Sequence, residues 1–300
     1  MTLPEGDVSA AAGEAFRVRD YEQMEREILR YMDDAGYYGR QSARARERAK
    51  ELLDSRKSFG EAIEKLEERL RCAFPTHDFY RSFTSEMVAR RIEREEGVHI
   101  PQPEELLERL AAAGYDEVRC QSLHVIFGQE YEKMLRQLRP FCGRFEKLLA
   151  GDPLLWGTGD YLRLTEALLA RMPRLDRDEA YLFMGHGSAH PANAAYALVE
   201  NTFRYHGAER VYVGTVEGFP HLDYVLSRLH QREIAQVHLA PLMIVAGDHA
   251  HNDLAGEGED SWKSRLESEG YQVQTHLYGL GELGAVGDIF VDHCRRAAAL

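Results

Sequence analysis

The sequence predicts an α/β protein made of two similar, doubly wound parallel-sheet domains that follow a helical N-terminal extension. Three observations support this fold class. From about residue 58 onward, short apolar runs alternate with helical stretches, which is typical of parallel sheets covered by helices on both faces. The two halves of this region repeat each other. The residues before it have no strand-like apolar run.

The helical extension is predicted over residues 1–56. Apolar residues recur at helical spacing from Tyr21 to Met32, and the segment Gly36–Gly39 then breaks the pattern. A second helical stretch runs from Gln41 to Leu53, where acidic residues interrupt the basic ones. This charge pattern favours a solvated helical hairpin over a basic binding patch.

The two α/β domains are predicted over residues 57–160 and 161–300. In chain order the strand candidates are Phe79–Phe83, Val118–Ile126, Ala180–Met184, Val211–Val216, Val237–Val245 and Val273–Leu277. The helical candidates are Ala62–Leu70, Pro103–Ala113, Glu130–Leu138, Tyr161–Ala170, Ala192–Tyr205, His221–Leu229 and Asp260–Glu269. Apolar strands between helices predict parallel pairing within each domain.

Two phrases of the first domain recur in the second. Leu106–Leu110 corresponds to Val225–Leu229, and Gln121–Glu130 corresponds to Ala240–His249. In both pairs the two segments are separated by the same number of residues along the chain, the number that separates Leu107 from Leu226. Few residues are identical between the paired segments. A repeat of this size indicates a duplicated domain rather than a solenoid.

Composition and charge exclude several classes of partner. The formal net charge of −13 argues against a general nucleic-acid binder and against adhesion to an anionic membrane surface. No signal peptide is visible, and no apolar run reaches the roughly 20 residues that span a bilayer. The 4 cysteines form no CxxC pair, so we expect free thiols and a reducing cytoplasm.

The candidate chemistry lies at the ends of three predicted strands. In an open parallel sheet, ligands bind beyond the carboxyl ends of the strands. His186 follows the strand that ends at Met184, Glu217 follows the next strand, and His249 follows the strand after that. The three side chains are therefore expected at one edge of the second domain. Glycines flank them and allow a ligand to approach the backbone closely.

Two imidazoles and a carboxylate suit a borderline divalent ion such as Co²⁺, Fe²⁺, Ni²⁺ or Zn²⁺. His186 lies between two glycines at a strand end, a position that a purely structural core histidine does not require. Glu217 has a structural alternative, because a glutamate there can cap the next helix. No nucleophile elbow, phosphate-binding loop or HExxH motif is present.

Several sequence segments then indicate a protein family. The segments Met184–Gly187, Gly214–Pro220, Pro241–Ala250 and Gln121–Lys133 resemble the anaerobic sirohydrochlorin cobaltochelatases of the CbiK type, which are class II chelatases. Asp260–Lys263, Gly279–Glu282 and Phe83–Ser85 resemble the same family. The resemblance covers roughly residues 58–295 and is strongest in the C-terminal half.

The resemblance implies two similar α/β domains with a tetrapyrrole cleft between them. It implies Co²⁺ insertion into sirohydrochlorin on the early-cobalt route to cobalamin, with no organic cofactor. The metal ligands of the family match His186, Glu217 and His249, and the two histidines are the expected catalytic residues. Because ligands bind metal only when unprotonated, activity is expected to fall on acidification through the range in which histidine titrates.

The resemblance also suggests residues for the tetrapyrrole. The substrate-binding candidates are Phe59, Gly60, Arg81, Ser85, His124 and Glu130. Sirohydrochlorin carries eight carboxylates, so local basic groups are expected to bind it. The chain departs from the family at its start, where the segment Glu51–Lys57 is too charged for the usual first strand. That strand is therefore predicted to be absent.

Other functions fit the same residues. An iron or nickel chelatase for a related ring would use the same ligands. A protein derived from a chelatase could bind a tetrapyrrole or a metal without turnover. The helical extension could instead assemble a homo-oligomer.

Overall fold

The strands of the protein form two sheets, in a computed structural model that describes residues 60–247 and 249–300. The predicted extension over residues 1–56 and the candidate Phe59 lie outside the described residues. The strands are β1 (Glu117–Gln121), β2 (Lys147–Gly151), β3 (Glu179–Gly185), β4 (Val211–Thr215), β5 (Gln236–Pro241), β6 (Gln272–Thr275) and β7 (Ala298–Ala299).

Helices connect these strands along the chain. They are α1 (residues 60–73), α2 (Glu86–Glu96), α3 (Pro103–Ala112), α4 (Gln129–Leu138), α5 (Thr158–Arg171), α6 (Ala194–Tyr205), α7 (Leu222–Leu229), α8 (Trp262–Ser268) and α9 (Gly284–Arg295). Polar side chains begin several of them, as when Ser261 accepts a hydrogen bond from the Ser264 backbone N–H at 3.1 Å. No helix of the described residues is long and apolar enough to cross a membrane.

The larger sheet has the order β4-β3-β5-β6, and each neighbouring pair is parallel. The chain leaves β3 toward β4 on one side and then returns to place β5 on the other side. The carboxyl ends of β3 and β5 therefore flank a topological switch point, where open α/β sheets bind their ligands.

Both faces of this sheet are buried, as the apolar strands predict. Along β3, Tyr181 and Phe183 pack in one apolar cluster with residues of α5, α6 and α9. The alternate residues Leu182 and Met184 pack in a second cluster with residues of α7 and α8. Each fully buried large apolar side chain contributes about 1.5–3 kcal/mol, so the sheet that carries the candidate ligands is firmly held.

The smaller sheet has the order β1-β2-β7. β1 and β2 are parallel, while the short β7 adds antiparallel to β2. The α/β class with parallel sheets is confirmed, since every neighbouring pair of the described strands except β2–β7 is parallel. The domain boundary between residues 160 and 161 stays a prediction, and the final segment of the chain, α9 and β7, packs against the smaller sheet.

The internal repeat is visible in the element bounds. The offset that separates Leu107 from Leu226 also separates Pro103, where α3 begins, from Leu222, where α7 begins. Glu117, where β1 begins, and Gln236, where β5 begins, are separated by the same number of residues. The helix-then-strand unit predicted from few identities thus recurs in the same register.

Some predicted elements were wrong or missing. Phe79–Phe83 was predicted as a strand, but these residues lie in no sheet. Their side chains find other partners, since Phe79 stacks under the Arg71 guanidinium at 4.1 Å. The sequence reasoning also missed β2, α2 and α9. β2 begins at a lysine and contains only three consecutive apolar residues, which is a weak strand signal.

Candidate metal centre

The three predicted ligands lie beyond neighbouring strands of the larger sheet. His186 directly follows β3, and Glu217 lies two residues after β4 ends. His249 lies after β5 and directly precedes a π-helical turn, Ala250–Leu254. Since β4, β3 and β5 are adjacent in that order, the parallel sheet delivers all three residues to its carboxyl edge.

His186 lies between the other two side chains. Its Nδ1 atom is 3.7 Å from the Glu217 Oε2 atom. Its ring centroid is 4.8 Å from that of His249, and the two rings are nearly perpendicular at 87°. The side chains of His186, Glu217 and His249 are 45%, 58% and 46% exposed, so an ion or a flat ring can reach them from solvent.

The three groups do not form a closed ligand cage. Within residues 60–247 and 249–300, no set of three or more His, Cys, Asp or Glu side chains is already arranged around a metal position. Side-chain rotations would therefore be needed for all three to contact one ion. An open set of few ligands suits an ion that must leave, because structural metal sites are closed and reactive ones keep open positions.

Backbone hydrogen bonds join the loops that carry His186 and Glu217. The Glu217 N–H donates to the His186 carbonyl at 2.8 Å, and the Val216 N–H donates to the Gly185 carbonyl at 3.1 Å. Gly187 adopts a φ of +82°, and a Cβ there would lie 2.8 Å from the Gly218 nitrogen. Only glycine fits this approach, as the flanking glycines of the sequence suggested.

Asn193 adds a side-chain bridge between the same two loops. The Ser188 N–H donates to its Oδ1 atom at 3.0 Å, and its Nδ2 atom donates to the Phe219 carbonyl at 2.5 Å. Sequence reasoning missed this residue, because an asparagine near a helix start is common and one of its partners, Phe219, lies in a different loop. The bridge holds the histidine loop and the glutamate loop at a fixed separation.

The predicted substrate-binding residues do not gather in one place. Ser85 caps helix α2, where its hydroxyl accepts a hydrogen bond from the Val88 N–H at 3.4 Å. Gly60 lies in α1, and Glu130 lies exposed in the first turn of α4. The structure gives Ser85 a structural role that the resemblance did not indicate.

His124 is largely buried at the carboxyl end of β1. Its Nδ1 atom lies 2.8 Å from the Ser122 hydroxyl oxygen. Burial lowers the pKa of His124, and the negative charge of Glu130 partly opposes that shift. Glu130 therefore lies close enough to His124 to influence its pKa.

A largely apolar cavity of about 600 Å³ lies beside β1. Arg81 and His124 both line it, together with residues of α1, α3 and the segment 76–84. The Arg81 guanidinium also pairs with the Glu67 carboxylate at 2.5 Å. His186, Glu217 and His249 do not belong to its lining, although Ile244 and Val245, shortly before His249, do. The three predicted ligands thus lie next to one another outside this cavity.

Comparisons with known proteins agree on one family. A family model described as cobalt chelatase (CbiK) matches residues 55–299. The chain is 42% identical over 233 residues to a sirohydrochlorin cobaltochelatase of Salmonella typhimurium, with 77% of this chain and 87% of the relative covered. It is 36% identical over 238 residues to the sirohydrochlorin cobaltochelatase CbiKC of Nitratidesulfovibrio vulgaris, with 78% and 83% covered.

A solved structure supports the fold. The structure of SirB from Bacillus subtilis with Fe³⁺ superposes with a TM-score of 0.55 at 14% sequence identity, covering 80% of this chain and 89% of that one. At such low identity the likeness concerns the architecture alone. The arrangement of parallel sheets described above is thus one that a known protein also adopts.

Proposed function

Because this chain belongs to the cobalt chelatase (CbiK) family, we propose that it inserts Co²⁺ into sirohydrochlorin at the sheet edge formed by His186, Glu217 and His249. The chain is a metal chelatase, a lyase whose substrates are a metal ion and a tetrapyrrole. Both curated relatives carry this activity in their names. Cobalt is therefore favoured over iron or nickel, and an enzyme is favoured over a non-catalytic carrier.

One observation supports the proposed site above the others. His186 lies next to both Glu217 and His249 at the switch point of the larger sheet, although the three residues are far apart in the sequence. Imidazole and carboxylate together suit Co²⁺.

Metallation requires three chemical events. The ion must lose bound water, the macrocycle must present its nitrogens, and two pyrrole N–H protons must leave as metal–nitrogen bonds form. A neutral imidazole of His186 or His249 can hold the ion and then accept a proton once the ion has moved to the ring. The Glu217 carboxylate offsets ion charge and offers a second proton acceptor.

The local structure favours transfer of the ion over retention. The three side chains are about half exposed and do not enclose an ion, whereas backbone hydrogen bonds and Asn193 hold the His186 and Glu217 loops in place. A fixed loop arrangement lowers the entropic cost of bringing ion and ring together. The macrocycle would therefore lie over the sheet edge with one face toward the ligands.

Recognition of the ring carboxylates is proposed for the N-terminal half. Arg81 and His124 remain the best candidates there, because both line the cavity beside β1. Arg81 would have to share its guanidinium between Glu67 and a substrate carboxylate, which a planar fork of donors allows. A cytoplasmic location and a homo-oligomer also stay predictions.

The experiment is a metallation assay with purified protein, Co²⁺ and sirohydrochlorin, followed by absorption spectroscopy. We expect His186→Ala and His249→Ala to lower the rate by at least about 100-fold, since each removes a metal ligand and a proton acceptor. The matched control is His230→Gln, because His230 ends α7 near the opposite edge of the sheet. Unchanged rates in both alanine variants would reject the proposed site.

A metal competition assay separates the remaining candidates. With Co²⁺, Fe²⁺ and Ni²⁺ present together, we expect the cobalt product to dominate. Preferential formation of an iron or nickel product would contradict the assignment of the metal. Tight binding of the ring without any metallated product would instead indicate a carrier.

A further inference from the structure

His249 makes a side-chain hydrogen bond to Asp253, which is not one of the three proposed metal ligands. Its Nδ1 atom lies 2.5 Å from the Oδ2 atom of Asp253. An ionised carboxylate only accepts hydrogen bonds, so the imidazole must donate its Nδ1–H. The proton is then absent from Nε2, whose lone pair is free for a metal ion.

The π-helical turn after His249 creates this contact. Ala250–Leu254 form the turn, and the Ala255 N–H closes it by donating to the Ala250 carbonyl at 3.2 Å. The His251 N–H donates to the Gly247 carbonyl at 3.1 Å, which fixes the backbone on the other side of His249. The two side chains, four residues apart, are thereby held on the same side of the turn.

His186 has the same tautomer preference by a different route. Its Nδ1 atom lies 3.1 Å from the Gly187 carbonyl oxygen, which can only accept a hydrogen bond. Both imidazoles therefore offer Nε2, but a carbonyl orients one ring and a carboxylate orients the other. A carboxylate makes the imidazole that it contacts a stronger electron donor, and such outer partners commonly tune metal affinity.

We propose that Asp253 is a positioning residue that holds His249 in the Nδ1–H tautomer with its Nε2 atom directed to the incoming Co²⁺. This inference rests on the proposed function, because it assumes that His249 is a metal ligand. It adds a residue that the sequence motifs did not single out. In this role Asp253 contacts only the His249 imidazole, and neither the ion nor the tetrapyrrole.

The first measurement uses the metal-free full chain. Histidine labelled with ¹⁵N reports by NMR which ring nitrogen carries the proton. We expect His249 to be protonated on Nδ1 in the natural protein and to shift toward the Nε2–H tautomer in Asp253→Asn, because an amide can donate its own N–H to Nδ1. An unchanged tautomer in that variant would overturn the proposal, and this readout does not depend on any activity.

The second measurement is Co²⁺ affinity, taken from titration of the visible absorption of the bound ion. We expect Asp253→Ala and Asp253→Asn to weaken binding by about 10- to 100-fold, while Asp253→Glu restores part of the loss. The matched control is Asp288→Asn, because Asp288 is a similarly exposed aspartate on α9, where it pairs with Arg69 of α1. Circular dichroism of each variant verifies that it is folded.

A further variant, His249→Ala, separates the positioning role of Asp253 from the proposed metal site. If His249→Ala weakens Co²⁺ binding but Asp253→Ala and Asp253→Asn bind within twofold of the natural protein, the positioning role is wrong and the proposed site stands. If His249→Ala itself binds Co²⁺ normally, the assigned ligand set is wrong, and the role of Asp253 fails with it. Weakening in all three variants supports both.

Discussion

The two sheets contain the same helix-then-strand unit, yet they differ in the residues that come after the strand. Beyond β5 the chain reaches the exposed His249 on a π-helical turn, whereas the equivalent position beyond β1 is Glu130, in the first turn of a regular helix. The β5 side is densely packed on both faces, while a cavity of about 600 Å³ lies beside β1. The duplicated unit is thus followed by the candidate ligand His249 in one copy and lies beside a cavity in the other.

This difference suggests a division of labour. The closely packed sheet gives the loops at its edge a firm base, which a metal centre needs. The looser sheet offers volume and cationic side chains, which a large polycarboxylate substrate needs. Four changes to the chain or its conditions test the comparison, from the largest expected effect to the smallest.

The largest contrast should come from one ionic group in each half. Glu200 is buried under β4, where it accepts the Val213 N–H at 2.9 Å and pairs with Arg204 and Arg228. Glu117 on β1 is partly exposed and pairs with Arg119 and Lys147. Breaking a buried ion pair costs about 3–5 kcal/mol, whereas an exposed pair contributes about 0–1 kcal/mol.

We therefore expect Glu200→Gln to lower the free energy of unfolding by several times more than Glu117→Gln. Urea denaturation followed by circular dichroism measures both values. Equal losses in the two variants would show that the halves do not differ in packing as described.

Gly187→Ala tests how tightly the candidate metal loop is packed. Its φ of +82° is strained for alanine, and the added Cβ would lie 2.8 Å from the Gly218 nitrogen. Strain of this kind costs about 1–3 kcal/mol. We expect a fall in melting temperature together with a loss of cobalt insertion, because the His186 and Glu217 loops would separate.

Gly207→Ala is the matched control, since Gly207 has a φ of +81° with nothing within 4 Å of the added Cβ. Its loss of stability should reflect only the strained backbone conformation of the alanine, without a steric clash of the added Cβ. If the two variants have the same melting temperature and both keep full activity, the close approach of the His186 and Glu217 loops is unimportant for stability and for cobalt insertion.

Asn193→Ala should have a smaller effect on stability and a selective effect on the site. It removes the hydrogen bonds that join Ser188 to Phe219 through the amide, each worth about 0.5–1.5 kcal/mol. We expect kcat for metallation to fall about tenfold with little change in the binding of sirohydrochlorin. A variant that keeps its kcat would show that the backbone bonds alone align the loops.

The smallest expected effect is the pH dependence of the free energy of unfolding, to which one histidine of each half contributes. Burial lowers the pKa of His124 near β1, and burial together with the neighbouring His238 lowers the pKa of His276 beyond β6. A histidine whose pKa is depressed in the folded state binds its proton more readily when unfolded. Stability should therefore fall as pH drops below about 6.5.

Melting temperature measured between about pH 5 and pH 8 checks this expectation. His124→Gln and His276→Gln should each reduce the slope of stability against pH, and the double variant should reduce it further. A slope that neither substitution changes would assign the effect to other groups.

The sequence predicted most elements of the larger sheet because its strands are buried on both faces. Continuous apolar runs such as Ala180–Met184 and Val211–Val216 differ clearly from their helical neighbours, and β3 and β4 lie there. The same rule failed at Phe79–Phe83, where apolar residues pack against a helix and the cavity instead of a strand. An apolar run records that a segment is buried, but not which kind of neighbour buries it.

What the sequence determined by itself is the order of helices and strands in the larger sheet and the placement of His186, Glu217 and His249 at strand ends, since periodicity and chain order are local properties. The tertiary structure decided which strands pair, that β7 joins the smaller sheet, and that Asn193 bridges the two candidate loops. These features depend on backbone and side-chain geometry in three dimensions. No spacing rule along the chain encodes a contact between loops that only the folded sheet brings together.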